Sequence, residues 1–75
     1  MMPLTPVKSS TITKLGYDKD TRTMNVEFHN GKEYEYADVP LESFEGLNNA
    51  ESIGKYFHEE IRPKFKGVFI DPNKI

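Results

Sequence analysis

Residues 24–36 read MNVEFHNGKEYEY, an apolar–polar alternation, an Asn-Gly turn and a second alternation ending in two tyrosines one residue apart. The length of the turn decides the fold, because it sets which side chains share a face. A two-residue turn at Asn30-Gly31 would place Phe28 opposite Glu33 and Val26 opposite Glu35, mixing carboxylates into the apolar face. A three-residue loop, His29-Asn30-Gly31 with Gly31 left-handed in a bulge, places Val26 opposite Tyr34 and Met24 opposite Tyr36. That register segregates apolar and aromatic side chains on one face and is the one expected. Asn25, Glu27, Glu33 and Glu35 then occupy the other face, with Glu27 across from Glu33 at a cost of a few tenths of a kcal/mol. An acidic outer face repels phosphate. Tyr34 and Tyr36 are therefore expected on the face that helices cover, as core side chains whose hydroxyls reach a rim or a polar partner, or as one wall of a partly open ligand pocket.

Upstream of the hairpin, residues from about Ser10 to Tyr17 suit a strand. Ile12 and Leu15 break its alternation, which predicts a bulge or a late start. The loop Asp18-Lys19-Asp20-Thr21 returns the chain into Met24, Val26 and Phe28. The pattern changes at Pro40, which fits the first turn of a helix carrying Leu41, Phe44 and Leu47 on one side and fading near Gly46 to Asn49. Ser52 can cap a second helix with Ile53, Phe57 and Ile61 at i, i+4 and i+8, and Pro63 disfavours helix at Arg62. The expected fold class is α+β, a three-stranded antiparallel meander followed by two short helices packed on one face. Residues 1–7 are expected to form a mobile arm, 8–66 the domain, and 67–75 a tail whose Val68-Phe69-Ile70 triplet docks as an added edge strand or against a partner.

With 75 residues the chain is a single domain near the lower size limit for one unstapled core, and it has no cysteine. A thiolate metal site or disulfide framework is thereby excluded. The start lacks the features of a signal peptide and no segment has the length of a membrane span, so a cytoplasmic protein without membrane contact is expected. Ten Lys and Arg against twelve Asp and Glu give a formal net charge of -2, so any attraction for nucleic acid has to come from a local patch.

Catalytic constellations are thin. Ser9, Ser10 and Ser52 with His29 and His58 supply the parts of a triad but no G-x-S-x-G elbow, and are read as backbone-bonding strand-entry and helix-cap residues. Two histidines without thiolates or an H-x-x-x-H spacing do not make a zinc site. Asp18-Lys19-Asp20 begins like a calcium loop, but Arg22, Thr23 and His29 fall where a ligand, glycine and glutamate are needed, and it reads as a turn. The glycines form no phosphate-binding fingerprint, and Gly54 is expected to permit close helix packing beside Ala50. No metal or cofactor is expected.

The ordered set Ser9-Ser10-x-Ile12, Leu15-Gly16-Tyr17-Asp18, Val26-x-Phe28, Gly31, Tyr34-x-Tyr36, Val39-Pro40, Leu47, Ala50-x-Ser52-x-Gly54, Phe57 and Ile61 resembles the KTSC domain. This domain occurs at the C-terminus of some lysyl-tRNA synthetases and as free-standing small proteins of bacteria and phages. The resemblance covers about residues 8 to 65 and implies an RNA-binding role without an assigned activity. Phe44 stands where the family often has tyrosine and His58 where it often has asparagine, and residues 67–75 lie outside the match.

Four of the ten basic residues, Lys55, Arg62, Lys64 and Lys66, fall in the second helix and just after it, interleaved with Phe65. That combination suits phosphate contact plus base stacking. It also suits cations placed at a helix C-terminus by its dipole. The sequence thus points to a non-enzymatic binding module, monomer or homodimer, for RNA or another phosphate-bearing ligand. The ligand residues expected are Lys55, Arg62, Lys64, Phe65 and Lys66, with Tyr34 and Tyr36 as the pocket wall. The alternative is a protein-binding module, such as a small phage protein that engages and inhibits a host factor through the tail and the acidic hairpin face.

Overall fold

In the computed structural model, which describes residues 4–70, five strands form one antiparallel sheet in sequence order. They are β1 (Thr5–Pro6), β2 (Ile12–Asp18), β3 (Thr23–Phe28), β4 (Glu33–Tyr36) and β5 (Gly67–Ile70). Between β4 and β5 lie α1 (Leu41–Asn48) and α2 (Ile53–Tyr56), the latter continuing into a π-helical turn at Phe57–Ile61. The fold is the expected α+β meander with two short helices, extended by one strand at each edge.

The hairpin adopts the three-residue loop. Met24 pairs with Tyr36, Val26 with Tyr34 and Glu27 with Glu33, while Gly31 takes φ 86° and donates its N–H to the Phe28 carbonyl at 2.9 Å. Phe28 N–H donates to the Lys32 carbonyl, and Asn30 Oδ1 accepts from Lys32 N–H. The β2 bulge falls between Ile12 and Lys14, and the strand runs Ile12–Asp18 rather than from Ser10. Ser9 Oγ accepts from the N–H groups of Thr11 and Ile12, which fixes this late entry. Asp18 Oδ1 accepts from Asp20 N–H and makes the β2–β3 connection a turn.

Both ends of the sheet extend the sequence reading. Thr5 and Pro6, expected in a mobile arm, pair with Leu15 and Lys14 of β2. The tail triplet docks on its own sheet, Phe69 against Tyr34 and Val68 against Glu35. The expectations for residues 1–3 and 71–75 concern positions outside the described residues.

One core lies between the sheet and the helices. Ile12, Leu15, Met24, Val26, Tyr36 and Val39 meet Leu47, Ile53, Phe57 and Ile61 there, all buried, each large apolar side chain contributing about 1.5–3 kcal/mol of transfer free energy. Tyr17 stacks on Phe44 at 4.9 Å and donates its hydroxyl hydrogen bond to the Val39 carbonyl at 2.6 Å, holding the chain as it leaves the sheet for α1. Pro40 sits just ahead of α1, and its carbonyl accepts from Ser43 and Phe44. Leu41, expected on the same side as Phe44 and Leu47, is 45% exposed and borders an open hollow beside β2.

Two local features depart from expectation. Ser52 caps α2 through its hydroxyl as expected, but Arg62 stays helical despite preceding Pro63. Proline lacks an N–H and its ring crowds the carbonyl four residues back. The chain accommodates this by widening the turn, with Arg62 N–H bonding the Phe57 carbonyl at 2.9 Å, an i→i+5 bond. On the helix-free face, Asn25 is buried rather than exposed. It lies opposite Gly16, whose missing side chain leaves room for the amide, and its Nδ2 donates to Glu33 Oε2 at 2.7 Å.

Candidate functional site

A cleft of about 430 Å³ opens between the hairpin and the α2–π segment. Its inner wall is aromatic: Phe28, Tyr34 and Tyr36 from the hairpin and Phe57 from the helix. The rings touch edge to face, Phe28 with Phe57 at 5.4 Å, Phe28 with Tyr34 at 5.7 Å, and Tyr36 with Phe57 at 5.5 Å. That geometry matches ring edges to ring faces and leaves little freedom to reorient. The rim is polar and carries Thr11, Asn30, His58 and Arg62.

Each part of the site is positioned by a local feature of the chain. The Gly31 bulge turns Tyr34 and Tyr36 toward the helices. Close approach of α2 depends on Gly54, where a Cβ would lie 2.9 Å from Thr11 Oγ1 and 3.2 Å from its Cβ. Gly54 therefore serves packing, as expected, but against the entry to β2 rather than beside Ala50. The π turn places Arg62 one turn above Phe57, where a regular helix would have placed Ile61. Burial raises the pKa of Tyr36 above the tyrosine norm, and the charge of Arg62 opposes that shift. The guanidinium is thus close enough to act on the phenol.

The basic residues grouped in the sequence do not all line one concavity. Arg62 lines the aromatic cleft. Lys55 borders a separate concavity with Tyr56 and Glu59. Lys64 is held by Glu60 at 2.9 Å, the one ion pair among the described residues, and that hydrogen bond and charge raise the lysine pKa. Phe65, a stacking candidate in the sequence, is half-buried against the core. Lys66 is exposed just ahead of β5. The structure therefore joins Arg62 to Tyr34 and Tyr36 and separates Lys55 from them, because proximity along a helix is not proximity across its faces.

His58, weighed in the sequence only as a triad part and as a departure from the family's usual asparagine, lines the rim together with Arg62. His29 does not line the cleft; its Nε2 lies 2.7 Å from the Ser9 carbonyl, a geometry that requires the proton on Nε2. A second, more open hollow near Tyr17 and Phe44 carries Asp18 and Asp20 against the single cation Lys19, a balance that suits phosphate less well than the Arg62 cleft. Among the described residues no group of three or more His, Cys, Asp or Glu side chains could hold a metal ion, and no helix is long and apolar enough to cross a membrane.

The sequence model of the KTSC domain matches residues 8–65. The chain belongs to the KTSC domain family. It is 45% identical over 64 residues to a lysine–tRNA ligase of Trichormus variabilis, an alignment covering 85% of this chain and 11% of the ligase. The chain thus spans about a ninth of the length of that enzyme. A small protein of Tsukamurella paurometabola is 38% identical over 63 residues, covering 84% of this chain and 94% of its own length. The crystal structure of a KTSC domain protein from Yersinia pestis superposes with a TM-score of 0.90 at 34% identity, over 95% of this chain and all of that one. KTSC domains thus occur both within ligases and as small free-standing proteins, and the cleft belongs to the part they share.

Proposed function

We propose that this KTSC domain is a non-enzymatic binding module for RNA, and that the aromatic cleft beneath Arg62 is its binding site. The observation that carries the reading is the convergence of Arg62, Tyr34 and Tyr36, residues from two distant parts of the chain, on one concavity of nucleotide size. A guanidinium matches a phosphate in two parallel hydrogen bonds. The aromatic wall and the Asn30 amide suit a base. The similarity to a lysine–tRNA ligase region supports an RNA ligand rather than a free metabolite. With a net charge of -2, attraction is local and the affinity modest.

Anisotropy of a labelled single-stranded RNA titrated at several salt concentrations tests this. With Arg62 and Lys66 free to contact phosphate and Lys64 held by Glu60, the logarithm of the affinity should fall with the logarithm of salt with a slope of about -0.7 to -1.4. Arg62→Gln should weaken binding and reduce that slope by about 0.7, whereas Lys55→Gln should change neither. Absence of RNA binding at low salt, or full binding by Arg62→Gln, ends the reading.

A second reading rests on the helix-free face. Glu27, Glu33 and Glu35 stand there beside Val68, which is 57% exposed at the sheet edge. Acidic and apolar groups side by side suit a basic protein partner. Pull-down of a protein that survives nuclease treatment and is lost on Val68→Glu would favour it.

A further inference from the structure

We propose that Phe69, on the strand beyond the matched family region, is a stacking platform for an unpaired base whose neighbouring phosphate is held at Arg62, so that the cleft selects single-stranded over duplex RNA. This rests on the RNA reading above and adds to it a residue and a strand preference.

The register carries the first step. β5 pairs with β4 so that Phe69 stands opposite Tyr34, while Val68 and Ile70 stand opposite Glu35 and Glu33. Neighbouring residues on paired strands share a face, so Phe69 alone of the three apolar residues lies on the side of the tyrosines and the cleft. Its ring centroid is 5.6 Å from that of Tyr34 at an interplanar angle of 53°. The contacts Phe57–Phe28, Phe28–Tyr34 and Tyr34–Phe69 thus form one continuous aromatic row from the helix to the sheet edge. At its inner end the row is buried; at its outer end Phe69 is 46% exposed. Phe69 does not itself line the cleft, but it adjoins Tyr34, which does, and an aromatic ring kept half in water there offers a free face next to the cleft wall.

Ligand chemistry carries the second step. A base in a duplex has both faces covered by its neighbours, and an A-form helix shows mainly phosphates and 2′-hydroxyls in its accessible groove. An unpaired base has a free face, and stacking on an aromatic side chain is strong and tolerant of sequence. A cleft of about 430 Å³ takes a nucleotide and not a double helix. Only an unpaired strand can put a base on Phe69 and its phosphate beside Arg62 at once.

The chain contains no tryptophan, so Phe69→Trp installs a single indole reporter at the platform. A short oligoadenylate should quench its emission, and inorganic phosphate should not. Phe69→Leu keeps an apolar residue on β5 and removes the aromatic face; it should bind the same oligonucleotide about 5- to 100-fold more weakly with its melting temperature little changed. A duplex of equal length should compete at least tenfold less well than the single strand. Unchanged affinity of Phe69→Leu, or equal competition by the duplex, overturns the inference while Arg62→Gln still reports on the cleft. Emission that shifts on dilution without RNA assigns the ring to a second copy of the chain and overturns it too. If the wild type binds no oligonucleotide, both this inference and the RNA reading fall.

Discussion

Gly67 faces the ring of Tyr36 across the β4–β5 ladder so closely that a Cβ at that position would lie 2.6 Å and 2.7 Å from two ring carbons. The ring is itself fixed, 5% exposed and packed edge-on against Phe57. Gly67→Ala should therefore destabilise the domain by about 1–3 kcal/mol through overpacking. Combining it with Tyr36→Leu should recover part of that loss in a double-mutant cycle followed by urea unfolding. Additive effects would show that the two residues are not in contact.

Gly31 tests a different physical cause. It takes φ 86° with nothing within 4 Å of its missing Cβ, so a substitution there meets backbone strain and no steric neighbour. Gly31→Val should cost about 1 kcal/mol or more, and Asn30→Asp should be tolerated because Oδ1 still accepts from Lys32 N–H. Equilibrium unfolding that found Gly31→Val neutral would rule out the bulged loop.

Tyr36 makes the alkaline limb of stability predictable. Burial raises its folded pKa above the ordinary value of 10.0, so the folded state keeps the phenol proton that the unfolded chain releases. The corresponding stability is present below that value and lost as pH rises through the raised folded pKa. Tyr36→Phe should flatten the alkaline fall in melting temperature. Arg62→Gln should push the phenolate transition seen by ultraviolet absorbance still higher, since the guanidinium favours the ionised form.

Strand β5 should contribute to folding as well as to binding. Truncation after Lys66 removes the β4–β5 ladder and the Phe69–Tyr34 contact and should lower the melting temperature by about 4 °C or more for a domain of this size. An unchanged transition would mean that the strand does not pair in solution.

The hairpin register was legible because Gly31 and the two alternations admit one arrangement without buried carboxylates. Strand β5 was legible because three adjacent apolar residues need a place to dock. Strand β1 was not, since Thr5-Pro6 lacks a strand signature, although proline is tolerated on an edge where its missing N–H faces no partner. The π turn is hidden because Phe57 and Ile61 at i, i+4 look the same in either helix, and a proline ordinarily signals a stop rather than a widened turn. Spacing along the chain does not tell which of Lys55, Arg62 and Lys64 reaches the cleft. In space, Glu60 claims Lys64 and only Arg62 among them faces the tyrosines. His58 stands at a position of the family pattern, but nothing in its spacing places it at the cleft rim.

The widened turn sets where the cation stands by chain length rather than by any side-chain partner. In effect the helix carries one residue more than its regular winding needs between Phe57 and Arg62. Winding the same residues at ordinary pitch would put Ile61 above Phe57 and rotate Arg62 by roughly 100° off the cleft without altering a single ring of the wall, and removing one residue as well would bring the arginine back. The aromatic wall and its charge are thus separable parts: one is built by packing, the other by counting. A sequence that kept every tyrosine and phenylalanine and its full length but wound this turn at ordinary pitch would still fold around the same hollow, with the guanidinium facing water elsewhere.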